Sequence, residues 1–287
     1  MARESSTILR SNAQGGALPP LTSVSVLGPL RGARFDETRT PFPPRLTTRM
    51  DTTRYYLSPE MHVCTADGQV VILDLRGDKY LSLDEGASEV LSAHIGVLSS
   101  HEGLPQNDLA PEVGEVLFRL AGNGILSTVT PSRITAHDCR PLLAPTSAIV
   151  PRPPFREHVS THHAARYIAS VISAKLALRA RTLYGVVIHE RRRVIARSPA
   201  DRVFDPVLAA PLCSIYSRLR IIATGPGQCL FDALALKLFL AKYGLFPQWI
   251  FGVRVHPFAA HCWLQHGDTV VNDSLDFVRR FTPIMAA

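Results

Sequence analysis

Between residues 130 and 158 the chain carries Pro131, Pro141, Pro145, Pro151, Pro153 and Pro154. Proline fixes φ and has no backbone N–H, so neither a helix interior nor a central strand runs through such a stretch. The segment reads as an interdomain linker, and 287 residues divided in this way suit two ordinary domains. An apolar share of 46% against 19% charged residues is enough for each to bury a core.

Ahead of the first domain, residues 1–53 are rich in Arg, Ser, Thr, Gly and Pro without a sustained period of 2 or 3.6, and read as a disordered tail. Asp36 and Glu37 count against a transit peptide, and no continuous apolar core marks a secretory signal. Met50 is an alternative start, with the residues before it an over-extended reading frame. The tail also explains the charge. Residues 1–50 hold seven Arg against Glu4, Asp36 and Glu37, a balance of +4, which leaves +3 of the formal +7 for everything else. That is too little for a phosphate-binding surface, so no nucleic-acid partner is expected. The five cysteines (Cys64, Cys139, Cys213, Cys229, Cys262) form no C-x-x-C pair, which points to a reducing, cytoplasmic compartment without a disulfide framework or a metal site. The greasiest run, Leu234 to Leu240, contains Lys237, so no membrane span is expected.

The first domain, residues 54–129, opens with strand-like runs at 61–66, 69–75 and 79–83, separated by Asp67-Gly68 and Gly77-Asp78 turns. This is a three-stranded meander. Asp84 caps a helix to Ile95 with Ala87, Val90, Leu91 and Ile95 on one stripe. A second helix runs from Pro111 to Ala121 with Val113, Val116, Leu117 and Leu120 inward, and Gly122-Asn123-Gly124 stops it. The second domain, residues 159–287, starts with a long helix, Ser160 to Leu183, whose apolar face is Ala164, Ile168, Val171, Ile172 and Leu176 along with Lys175. Glu190-Arg191-Arg192-Arg193 reads as a solvated loop or helix end.

The chemistry concentrates after Thr224-Gly225-Pro226-Gly227-Gln228-Cys229, where turn formers give way at the cysteine to the apolar helix Leu230, Ala233, Leu234, Leu238 and Ala241. A thiol at a helix N-terminus meets orphan N–H groups and the positive end of the dipole, which favour thiolate and can hold an oxyanion. Downstream, 248–255 and 261–265 read as strands around a Pro257-Phe258 break, and His266-Gly267-Asp268 turns into Thr269 to Asp273. Alternation places His261, Trp263 and Gln265 on one face and Cys262 on the other, which removes Cys262 as a nucleophile. A three-residue loop opposes His261 to Asp273. A two-residue Gly267-Asp268 turn opposes it to Ser274, so the longer loop is predicted. Cys229 is then the nucleophile, His261 the base and acid, and Asp273 the group that orients the imidazole.

Cys229-Leu230, Ala233-Leu234-Ala235-Leu236, Gly252-Val253, Pro257-Phe258, Ala260-His261-Cys262-Trp263 and Asn272-Asp273 resemble the transglutaminase-like leader peptidase of lasso-peptide biosynthesis. Val71 to Leu75 and Lys79 to Leu83 resemble the leader-recognition domain of such pathways, related to the PqqD-like chaperone. The resemblance implies an α+β protein: a winged-helix-like meander plus helices, then a transglutaminase-like (papain-like) α+β domain. It also implies the activity, hydrolysis of the leader–core amide bond of a ribosomally made precursor peptide with no cofactor. The partners implied are that precursor and an ATP-dependent, asparagine-synthetase-like macrolactam synthetase (the lasso cyclase). Cys262 departs from the pattern, where a small residue such as Ala is expected. Gln228 is a candidate oxyanion donor. Leader capture by strand addition points to Lys79, Tyr80, Leu81 and Leu83 with Val116 and Arg119. Two other readings use the same residues: an acyl transferase that accepts an amine, and a non-catalytic peptide scaffold.

Overall fold

The computed structural model describes residues 24–29 as backbone and residues 54–100, 102–107, 109–130, 143–149, 158–196, 204–220 and 229–287. They fall into two compact units, one up to His137 and one from Asp138. Gln228 and Cys139 lie outside the described residues.

In the first unit the meander forms as the turn chemistry dictates. Strand β3 (Met61–Ala66) pairs with β4 (Gln69–Asp74), and β4 with β5 (Lys79–Leu83). Ala66 opposes Gln69, so Asp67 and Gly68 alone make the first turn, with φ of 49° and 78°. Both values are positive, as a type I′ turn requires. Helix α1 (Glu85–Ser92) starts at Asp84, whose carboxylate accepts from the Ala87 N–H at 2.8 Å. It ends earlier than its apolar spacing predicts, and a separate turn α2 (Ile95–Leu98) follows. Helix α3 (Pro111–Gly122) places Val116, Leu117 and Leu120 against Ile72, Leu81, Leu83 and Leu91 in one core.

Two features of this unit were not legible in the sequence. Strand β2 (Arg54–Leu57) lies between the two-residue strands β6 (Leu104–Pro105) and β7 (Leu126–Ser127), each too short for a period of 2 to show. Strand β1 (Val24–Pro29) falls inside the segment read as a disordered tail, yet it pairs antiparallel with β5 along the whole of that strand. The Val24-Ser25-Val26 alternation is there, but three residues do not stand out against a background of Gly, Pro and Arg.

The second unit holds a five-stranded sheet in the order β12-β9-β10-β11-β8. Its strands are β8 (Ser147–Ala148), β9 (Gln248–Arg254), β10 (Ala259–His266), β11 (Thr269–Val270) and β12 (Thr282–Ala286). Strand β8 corrects the linker reading: part of the Pro-rich stretch is an edge strand, pairing parallel with β11. Edge strands tolerate neighbouring proline because one side of their backbone needs no partner. The Leu143 carbonyl, four residues earlier, accepts from the Gln265 side-chain amide at 2.8 Å.

Helix α4 (Thr161–Ala180) is capped by Ser160 and stops before the length predicted, with Thr182 capping a new helix, α5 (Leu183–Ile195). Its buried face is also a correction. Tyr167, Ser170 and Ala174 point inward, while Ile168, Ile172 and Leu176 are 55%, 52% and 59% exposed. Apolar periodicity selects the branched side chains, but the small residues Ser170 and Ala174 are what let α4 approach α7 (Cys229–Ala241). Of the two readings of Glu190 to Arg193 the helix end holds over the loop: they close α5, with Arg192 and Arg193 in its last turn, though not as a wholly solvated run. Glu190 is buried and pairs with Arg193 at 2.9 Å, and Arg191 donates to the Ala286 carbonyl. Helix α6 (Pro206–Arg220) packs against α7, which is apolar on nearly every side and correspondingly buried. Lys237 is its buried exception, donating to the carbonyls of Pro247 and Ala287.

Candidate active site

Three neighbouring elements supply the site. Helix α7 begins at Cys229 and packs on β10, which carries His261, and the bend after β11 carries Asp273. The His261 Nε2 lies 2.6 Å from Asp273 Oδ2, while Asp273 Oδ1 accepts from the Ser274 N–H at 2.8 Å. With Nε2 engaged by the carboxylate, Nδ1 is the nitrogen left for Cys229, whose thiol is hydrogen-bonded to the His261 side chain.

The route by which Asp273 arrives differs from the predicted register. Gln265 opposes Val270 and His266 opposes Thr269, so the turn has two residues, Gly267 and Asp268, with Gly267 at φ 57°. Continued regularly, that register sets Ser274 against His261 and turns Asp273 away. The strand does not continue. Val271 still donates to the Leu264 carbonyl at 2.8 Å, but the Leu264 N–H is taken by the side chain of Asn272 at 2.7 Å. A side-chain carbonyl replaces the backbone one, the backbone bends, and Asp273 swings back onto the His261 side.

The alternation on β10 holds. His261 stacks near Trp263 at 6.1 Å between ring centroids, and Trp263 Nε1 donates to Gln265 Oε1 at 2.9 Å. Gly252 opposes His261 on β9 and makes room for this stack: a Cβ there would stand 2.7 Å from the Trp263 ring and 3.0 Å from the Cβ of Phe281. Phe277 and Phe281 add ring contacts to His261 at 5.0 and 5.3 Å.

Alternation does not, however, take Cys262 out of the site. Its side chain and backbone N–H both hydrogen-bond Cys229, and the residue is buried. The two thiols divide by environment. The Cys262 contact first, and the His261 contact and charge after it, outweigh burial and hold the Cys229 thiol down at about 4. Burial and the neighbouring Cys229 thiolate push Cys262 well up, so it remains a thiol donor. Burial would lower His261, but hydrogen bonds and charge from Asp273 and Cys229 override it and raise the imidazole to about 9. A thiolate–imidazolium pair at neutral pH follows from these opposed shifts.

Sequence reasoning missed a second ion pair in the first turn of α7. Asp232, one turn beyond Cys229, is buried and pairs with Arg220 at 2.6 Å. Nothing in local spacing links α6 to α7, so only the fold reveals it.

The residues proposed for leader binding are distributed differently. Tyr80, Leu81, Leu83 and Val116 are buried, the last three in the core of the first unit. Strand β5 is buried along four of its five residues, so its side chains serve packing within the first unit. Lys79 pairs with Asp74 at 3.8 Å and Arg119 with Glu115 on its own helix. The backbone of β5 is likewise engaged, paired with β4 on one side and with β1 on the other. Gln228 falls outside the described residues. Among the described residues no group of His, Cys, Asp and Glu is placed to hold a metal ion, and no helix is long and apolar enough to cross a membrane.

Residues 169–286 match the transglutaminase-like superfamily. The C-terminal region is thus a transglutaminase-like domain, a fold whose members include cysteine proteases and acyl transferases. No match was found among curated proteins or among solved structures.

Proposed function

We propose that this chain is a cysteine peptidase that removes the leader from a ribosomally made precursor peptide, the leader peptidase of a lasso-peptide pathway. The observation that carries the thiol chemistry is the chain of hydrogen bonds from Cys229 through His261 to Asp273, the last at 2.6 Å. The Cys229 thiolate attacks the scissile carbonyl, and the N–H groups of the first turn of α7, which a helix leaves without intrahelical partners, can hold the developing oxyanion. His261 gives its proton to the leaving amine, the thioester forms, and water deprotonated by His261 then attacks it, releasing the acid and restoring the Cys229 thiolate and the protonated imidazole. Asp273 keeps Nε2 protonated and Nδ1 toward sulfur through both steps.

The substrate class rests on the motifs that resemble lasso leader peptidases and leader-recognition domains, together with a first unit built around a β-meander, the kind of sheet to which an extended peptide adds a strand. The same reading makes the protein cytoplasmic and gives it an ATP-dependent macrolactam synthetase as partner. Mass spectrometry of the purified protein incubated with its precursor peptide tests this. Free leader and a core with a new N-terminus are expected, and Cys229→Ala abolishes both. A product carrying an added amine indicates acyl transfer instead, and cleavage retained by Cys229→Ala removes the thiol mechanism.

A further inference from the structure

The meander has one flank where a peptide could add a strand to β5, and the chain already fills it. The sheet order is β1-β5-β4-β3, with Val24 opposite Leu83, Ser25 opposite Ser82, Val26 opposite Leu81, Gly28 opposite Tyr80 and Pro29 opposite Lys79. Every residue of β5 has a partner in β1, and 24 residues (30–53) separate β1 from β2 in the chain.

We infer that Val24–Pro29 is a resident strand that occupies the peptide-binding edge of β5 and is exchanged for an extended peptide when one is captured. The inference rests on strand addition at β5 as the mode of capture. The construction of β1 supports exchange over permanent pairing. Its register breaks between Val26 and Gly28, leaving Leu27 as an extra residue. Gly28 weakens strand conformation, and Pro29 has no N–H to donate. Strands β4 and β5, by contrast, pair without a break and contain neither residue type. A covered edge also protects the sheet from pairing with another copy. Because β1 is tethered, it competes at an effective concentration in the millimolar range, so an incoming peptide must offer better pairing than a bulged strand does.

The test uses the full chain, wild type and carrying Ser25→Pro with Val26→Pro. Consecutive N–H groups point to opposite edges of a strand, so the pair removes whichever one faces β5. The probe is a fluorescein-labelled synthetic peptide of residues 22–31, measured by anisotropy, with amide exchange of residues 79–83 read in parallel. The variant is expected to bind the probe at least about tenfold more tightly than wild type. Its β5 amides should exchange faster than those of wild type and regain protection when the probe binds. Unchanged protection of the β3–β4 amides shows that the meander is folded. Equal affinity and equal β5 protection in the two proteins overturn the inference, even if the wild type cleaves a precursor. Released binding in the variant upholds it, even if no precursor is cleaved, so failure of the leader-peptidase reading is seen separately.

Discussion

Cys229 and Cys262 illustrate how far two identical side chains part when their surroundings differ. One sits half-buried at the start of a helix beside an imidazole, and is held down at about 4. The other is fully enclosed and is pushed well up. The sequence separates them by alternation alone, which favours Cys229 as the nucleophile but misplaces its neighbour, because α7 meets β10 where both His261 and Cys262 are within reach of one sulfur. Asp273 shows the same limit. Its pairing with His261 is legible from the order of residues, while the means, an Asn272 side chain substituting for a backbone carbonyl, is not. Replacing Asp273 by Ala leaves a largely buried imidazole N–H without its acceptor. Such an orphan costs about 1–3 kcal/mol, which corresponds to roughly 5- to 150-fold in rate. Steady-state kinetics on the precursor should show that loss in kcat with KM nearly unchanged, since Asp273 touches the imidazole and not the peptide.

Among the elements, those with strong local rules were readable and those defined by partners were not. The Asp67-Gly68 turn, the Asp84 cap, the Pro111 start of α3 and the strands flanking Pro257 all follow from residue chemistry that acts within a few positions. The inward face of α4, the short strands β2, β6, β7 and β8, and the attachment of β1 to β5 depend on what packs against them. Burial of Ser170 and Ala174 in preference to Ile168 and Ile172 is a statement about α7, and no window on α4 contains it. Strand β9 permits a prediction at this scale. Gly252→Ala drives a methyl group into the Trp263 ring, an overpacking that costs about 1–3 kcal/mol. The melting temperature should fall by several degrees, at about 2–4 °C per kcal/mol for a domain of this size. Peptidase activity should fall further than the folded fraction, because Trp263 supports the face of His261.

At the scale of the whole molecule, the functional arrangement is a product of the fold: Cys229, His261 and Asp273 come from a helix, a strand and a bend that meet only in the folded second unit. The thiolate–imidazolium pair exists where Cys229 has lost its proton and His261 has kept its own, between about pH 4 and about pH 9. Below that window the nucleophile is protonated, and above it the proton for the leaving amine is gone, so activity should fall on both sides. Unfolding should abolish the difference between Cys229 and the other thiols, Cys64 and Cys213 among them, which burial pushes up to about 12 in the native protein. The most direct test is the rate of iodoacetamide alkylation at each cysteine as a function of pH, read by mass spectrometry of the digested protein. The native protein should be modified at Cys229 at a rate already level between pH 6 and pH 8, with selectivity lost in urea. A Cys229 rate that climbs about tenfold per pH unit over that range, as an ordinary thiol does, would contradict the account.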